Sequence, residues 1–168
     1  LKEVQSPQVK IITIEDPIEY HLEGVSQTQV TKDDYDFATG LKAIVRQDPD
    51  VILVGEIRDN ETAEISVRAA LTGHLVFSTL HTNDAAGTIA RLDSMGIDHN
   101  NMGSALNLVV AQRLVRKVCT KCALSEKLTP EQEKEITEAL VKLPEDIKPA
   151  ITPETTIYQA KGCEDCNN

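Results

Sequence analysis

Val51-Ile52-Leu53-Val54, closing on Gly55-Glu56, is short, apolar at every position and β-branched at all but Leu53. A run of this kind reads as a strand buried on both faces of a parallel sheet. Two other runs share its form. Val9-Lys10-Ile11-Ile12-Thr13-Ile14 leads into Glu15-Asp16, and Leu75-Val76-Phe77-Ser78-Thr79-Leu80 leads into His81. In open parallel sheets ligands gather at the carboxyl ends of the strands. Two carboxylates and an imidazole are therefore expected along one rim. A single polar ending is what any strand does on leaving a core. Three endings, each on a group able to move protons or hold charge, point to a site.

Outward from these strands the pattern alternates with helices. Asp16-Pro17 stops the first ladder, and Gly24–Val30 alternates weakly, as a more exposed strand would. Asp33, Asp34 and Asp36 offer N-caps to a helix with Phe37, Leu41, Ile44 and Val45 on one stripe. Arg46 lies in its last turn and Asp48-Pro49 ends it. Asp59 or Asn60 caps a second helix with Ile65, Ala69 and Leu71 inward, and Gly73 terminates it. A third helix, Ala85 to Met95, turns Ile89 and Leu92 inward, and a fourth runs from about Asn100 to Val110. Strand, helix, strand, helix, strand predicts an α/β fold with a parallel sheet covered on both sides. Beyond Cys119 the texture changes. Thr129-Pro130 starts a helix reaching about Leu143, and Pro144, Pro149 and Pro153 mark an irregular return.

The 168 residues suit one core without staples. Aromatics make up 3% and Trp is absent, so that core is aliphatic. A formal charge of −10 opposes a nucleic-acid face and simple adsorption to anionic lipid. No spanning run or signal peptide is visible, which reads as cytosolic. The chain opens on Leu1 and closes two residues after Cys166, as an internal segment of a longer protein would.

All four cysteines fall in two C-x-x-C pairs, Cys119/Cys122 and Cys163/Cys166, with 40 residues between the pairs. Two residues between thiolates let both reach one tetrahedral ion, and two such knuckles complete a four-thiolate zinc site. A closed shell of four thiolates makes that zinc structural. The competing reading, two disulfides, is disfavoured in a cytosolic chain.

Glu56 follows four apolar residues and a glycine. The strand fixes its carboxylate, Gly55 allows a ligand to approach, and the acid can polarise water or support Mg²⁺. Glu15-Asp16 adds acids on the adjoining strand end. His81 could donate to phosphate, whereas His74 stands at the far end of its strand, about 20 Å away at full extension. His21 and His99 lie in polar turns and receive no role.

These residues carry a resemblance. Ile12-Thr13-Ile14-Glu15-Asp16-Pro17-Ile18-Glu19 resembles the Asp box of the secretion and pilus motor ATPases. Arg46 to Asp59 resembles their Walker B segment, and Thr72 to Asn83 their His box. The tetracysteine element is similar to that of the pilus-assembly and type II secretion branches. The resemblance covers nearly the whole chain. It implies a RecA-like domain, truncated at its N-terminal side, over residues 1–117, and a helical zinc-binding lobe over 118–168. It implies a homo-hexameric ATPase using ATP with Mg²⁺, working with an inner-membrane platform protein and cytoplasmic assembly proteins at the inner face of the membrane, and touching the bilayer only through partners. By position, Glu56 resembles the water-activating glutamate and Glu15 the acid assisting at metal and water. Asp16 belongs to the same box. His81 and His74 resemble histidines linking phosphate state to the ring interface, and Arg58 the arginine after the Walker B glutamate.

One element departs from the family. No G-x-x-x-x-G-K-[ST] occurs in the sequence, so the cradle for the β- and γ-phosphates is missing. In the family it lies upstream of the position of Leu1, and these residues alone are expected neither to bind ATP tightly nor to hydrolyse it. Pilus assembly is the first reading and type II secretion the alternative. A zinc-stabilised interaction module and a metallohydrolase using Glu15, Asp16, Glu56 and His81 as ligands stand beside them. A sheet lacking its upstream strands would expose an edge prone to association.

Overall fold

The computed structural model describes residues 1–31, 34–152 and 154–166. They divide into two compact units, Leu1–Gln112 and Arg113–Asn168.

The first unit is built on four parallel strands in the order β2-β1-β3-β4: β1 Ile11–Glu15, β2 Ser26–Gln29, β3 Val51–Val54 and β4 Leu75–Ser78. Register runs straight across, with Ile14 beside Val54 and Val54 beside Ser78. The carboxyl ends of β1, β3 and β4 therefore lie along one edge. In β1 and β3 the residues on both faces are buried or nearly so. β4 differs from expectation: Leu75 and Phe77 are 44% and 40% exposed. As an edge strand it has a neighbour on one side only, and its Leu75/Phe77 face is left partly open.

Helix starts follow local chemistry. Asp36 caps α1 (Phe37–Val45), Asp59 caps α2 (Asn60–Leu71), Asp84 caps α3 (Ala85–Ser94) and Asp98 caps α4 (His99–Ala105). Each carboxylate accepts from a backbone N–H in the first turn. Asp33, another candidate cap, lies outside the described residues. Gly73 and Gly96, at φ +102° and +80°, end α2 and α3 in the left-handed region.

Ile12, Ile14, Ile52 and Val54 pack with Leu41, Ile44, Ala63, Val67 and Leu92 into one aliphatic core. Several helix faces depart from the sequence reading. α2 buries Ala69 and packs Ile65 on the core as expected, but it also turns Ala63, Ser66 and Val67 inward and leaves Leu71 exposed. α3 buries Thr88 and Leu92 while Ile89 faces out. α4 stops at Ala105, and 106–112 has no regular structure, consistent with the β-branched Val109-Val110 pair. His99 opens α4, and its Nε2 lies 2.7 Å from Asp93 Oδ1.

α1 sits down on β1 at Gly40. A Cβ there would collide with the Ile14 side chain and lie 2.8 Å from Tyr35 Cζ. Gly40→Val is expected to cost about 1–3 kcal/mol through overpacking. Gly103→Ala, where an added Cβ meets nothing within 4 Å, should instead gain up to about 1 kcal/mol from helix propensity. Denaturant melts that fail to separate the two would contradict this packing.

The second unit pairs β5 (Ala123–Lys127) with β6 (Thr156–Ala160) antiparallel. Between them come α5 (Pro130–Leu140), opened by a Thr129/Gln132 capping box with proline in its first turn, and a 3₁₀ turn at Glu145–Ile147. α5 ends three residues before the expected Leu143. Pro153, assigned to the irregular return, lies outside the described residues. No helix of the described residues is long and apolar enough to cross a membrane.

Candidate active-site rim and tetracysteine centre

Backbone bonding continues past the formal strand ends and draws the rim together. Gly55 N–H donates to Ile14 O (2.8 Å), Ile57 N–H to Thr79 O (3.0 Å), and the Thr79 hydroxyl to Gly55 O (2.7 Å). Glycine at 55 also has a cause within the sheet. A Cβ would lie 3.2 Å from Ile14 O and 3.3 Å from Glu15 Cα. The close neighbour is the β1 backbone; no ligand is needed to explain the residue.

Glu56 stands at the centre, its side chain 14% exposed. The Arg58 guanidinium donates to Oε1 at 2.5 Å, and His81 Nε2 lies 3.0 Å from Oε2. A carboxylate only accepts, so His81 carries its proton on Nε2. Arg58 Nη1 also reaches Asp16 Oδ2 at 3.6 Å. The row Asp16, Arg58, Glu56, His81 thus joins the ends of β1, β3 and β4. The Arg58 hydrogen bond is the main cause holding the Glu56 carboxyl below its ordinary range; burial works against it and His81 adds to it. His81 itself is 82% exposed.

Glu15 ends β1 on the same edge with its own partners. The Thr13 hydroxyl donates to Oε1 at 2.5 Å and the Gln27 amide to the same oxygen at 2.9 Å. His74 is not part of the rim. It precedes β4 at the opposite edge, where Nδ1 lies 2.9 Å from Ala69 O and 3.3 Å from Thr72 Oγ1, at the end of α2. Sequence reasoning missed Thr13, Gln27 and Thr79. For Thr13 the signal was available: it is a hydroxyl inside an apolar run, and it is fully buried.

In the second unit the β5–β6 ladder ends with Ala123 opposite Ala160. This brings the knuckle before β5 against the one after β6. Cys119 and Cys163 sulfurs are 4.0 Å apart, Cys122 and Cys166 3.8 Å, and Cys163 and Cys166 3.7 Å. All four lie within 4.8 Å of one another. Zn–S bonds of about 2.3 Å in a tetrahedron require sulfurs about 3.8 Å apart, so the set fits zinc. A disulfide needs about 2.05 Å. Cys119 is lowered mainly by the Lys121 backbone N–H, while burial pushes Cys122 up to about 11; a bound dication would hold all four as thiolates. Lys121 and Asp165 add a 2.7 Å ion pair between the knuckles. Among the described residues these cysteines are the one group of three or more ligand side chains placed to hold a metal.

The family model for type II/IV secretion system proteins matches residues 1–168. The chain belongs to that family. It is 52% identical over 169 residues to the type II secretion system protein E of Aeromonas hydrophila, covering all of this chain and 32% of that protein. It is 47% identical over 167 residues to the type IV pilus assembly ATPase PilB of Thermus thermophilus, covering 99% of this chain and 18% of PilB. The solved pilus retraction motor PilT with bound ADP superimposes with a TM-score of 0.51 at 50% identity, over 57% of this chain and 29% of that one. The fold is that of these ATPases. The chain spans a third or less of the length of these curated relatives.

Proposed function

We propose that these residues carry the water-activating edge and the zinc-pinned lobe of a hexameric motor ATPase serving type IV pilus assembly or type II secretion. The observation that carries the reading is Glu56: a shielded carboxylate at a strand end, clamped between a guanidinium and an imidazole. On this reading residues 1–117 belong to the motor domain and 118–168 to the lobe. The motor acts at the inner face of the inner membrane, with a platform protein and cytoplasmic assembly proteins as partners. The phosphate-binding loop is supplied from outside the 168 residues, which do not turn over ATP by themselves.

Bound ATP with Mg²⁺ would supply the scissile phosphoanhydride and its charge neutralisation. The chain's own groups do the rest. Glu56 orients a water and takes its proton. Each of its oxygens accepts one donor at rest and keeps a lone pair for that water, and His81 is the more exposed of the two donors. Arg58, shared with Asp16, keeps Glu56 ionised. Glu15 assists at the metal and its waters. His74 is assigned to the ring interface.

Both clients are kept, since identity to type II secretion relatives reaches down to 48% and identity to PilB is 47%. The test is complementation. The intact protein is placed in bacteria lacking either their secretion motor or their pilus-assembly motor. Restored exoprotein release assigns the secretion machine, and restored piliation the pilus. Restoration of neither, with the protein expressed and folded, rejects the motor reading.

A further inference from the structure

Gln27 lies on β2, a strand with no ionisable side chain, yet its amide is fully employed. Its Nε2 donates to Glu15 Oε1 at 2.9 Å and to Tyr20 O at 3.0 Å, while its Oε1 accepts the Leu22 N–H at 2.7 Å. One planar group therefore binds the β1 carboxylate on one side and the 16–25 excursion on the other. Thr13, fully buried, donates to the same Glu15 oxygen. Two donors on Oε1 fix the carboxylate's rotation. Among the described residues Oε2 accepts no hydrogen bond. The excursion these bonds hold begins with Asp16, which lies 3.6 Å from Arg58.

We infer that Gln27 is the positioning residue for Glu15: it sets which carboxylate oxygen meets the magnesium shell, and it locks the loop behind that carboxylate. The inference rests on the reading of Glu15 as an acid at the metal. A bare glutamate side chain samples many rotamers, and a ligating or water-holding carboxylate gains its affinity from partners that hold it in one. Thr13 alone offers a single donor to a group that can turn about it. Gln27 supplies the second point and anchors that point to the backbone at residues 20 and 22. The charged groups at the adjoining strand ends are Asp16, Glu56 and Arg58.

The experiment is metal titration of the intact motor protein, read by ATP turnover with Mg²⁺ and by equilibrium Mn²⁺ binding in the presence of a non-hydrolysable ATP analogue, with Gln27→Met, Gln27→Glu and Glu15→Gln beside the parent sequence. Methionine keeps the length and removes the donors. Gln27→Met should raise the magnesium concentration for half-maximal turnover by about 10- to 100-fold. Gln27→Glu keeps an acceptor for Leu22 N–H but replaces the donor to Glu15 with an acceptor, so Glu15 loses the same point of support. Its magnesium midpoint should therefore rise as well. If Glu15→Gln shifts the magnesium midpoint while both Gln27 variants leave it in place, the positioning role is wrong and the Glu15 reading survives. If Glu15→Gln itself leaves the midpoint unmoved, the Glu15 reading fails and takes the inference with it. A packing role alone would lower the melting temperature or kcat without moving the midpoint, which also overturns it.

Discussion

Glu56→Gln in the intact motor protein is expected to lower ATP turnover by about 10²–10⁴-fold with nucleotide binding retained. The amide matches the carboxylate in shape and can still accept from Arg58, so the ends of β1, β3 and β4 stay joined. It cannot take a proton from water. The loss should therefore fall on kcat with little change in KM. Turnover near the parent value would remove Glu56 from the chemistry. Arg58→Ala makes the companion measurement. The Arg58 bond is the largest cause of the low Glu56 pKa, so its removal lets that pKa rise toward the ordinary carboxylate range. A base with a higher pKa is protonated sooner on acidification, and the acid limb of kcat/KM should move to higher pH. The sign for folding is the same. Glu56, with its depressed folded pKa, contributes stability above the unfolded value and loses it as pH falls through the folded one. Because Arg58 is largely exposed, that contribution is small, about 0–1 kcal/mol.

The second large effect concerns the lobe. Not one described residue of the Arg113–Asn168 unit is buried. A unit without a core cannot offset the entropy of ordering its chain. Structural zinc in comparable small domains supplies about 10–16 kcal/mol of apparent folding free energy. Cys163→Ser, or prolonged chelation at neutral pH, should therefore abolish hydrogen-exchange protection across β5 and β6 while the parallel sheet keeps its own. Metal analysis should fall from one zinc per chain to none. Protected β5 and β6 amides in the zinc-depleted protein would show that the lobe is held by something other than the thiolates.

How far the sequence revealed this arrangement depended on how local each signal was. The β3 run was legible because four consecutive apolar residues between a proline turn and a glycine admit few alternatives, and the strand occupies those four residues. The cysteine cluster was legible from spacing alone. The rim followed from three strands sharing one direction. What was not legible depended on neighbours. The openness of β4 is set by its place at the sheet edge, which no periodicity within Leu75–Ser78 encodes. Ile89 and Leu71 looked inward because helical spacing gives a stripe without saying which side docks. Glu15 was found as a chemical group, but its partner Gln27 is met only through the β1–β2 register, 12 residues away. The contact of Gly55 with the β1 backbone was not legible, since that backbone lies on another strand.

The antiparallel ladder of β5 and β6 returns the chain to its own starting point before the second knuckle is reached. Everything between the two strands is thereby relieved of any duty toward the metal shell. Loop closure grows only slowly with length, about 0.6 kcal/mol per doubling. Insertions, deletions or whole exchanged segments in that excursion would leave the thiolates where they are. The lobe is a natural grafting point, where one member of the family could take on new contacts while the cysteine cluster stays as it was.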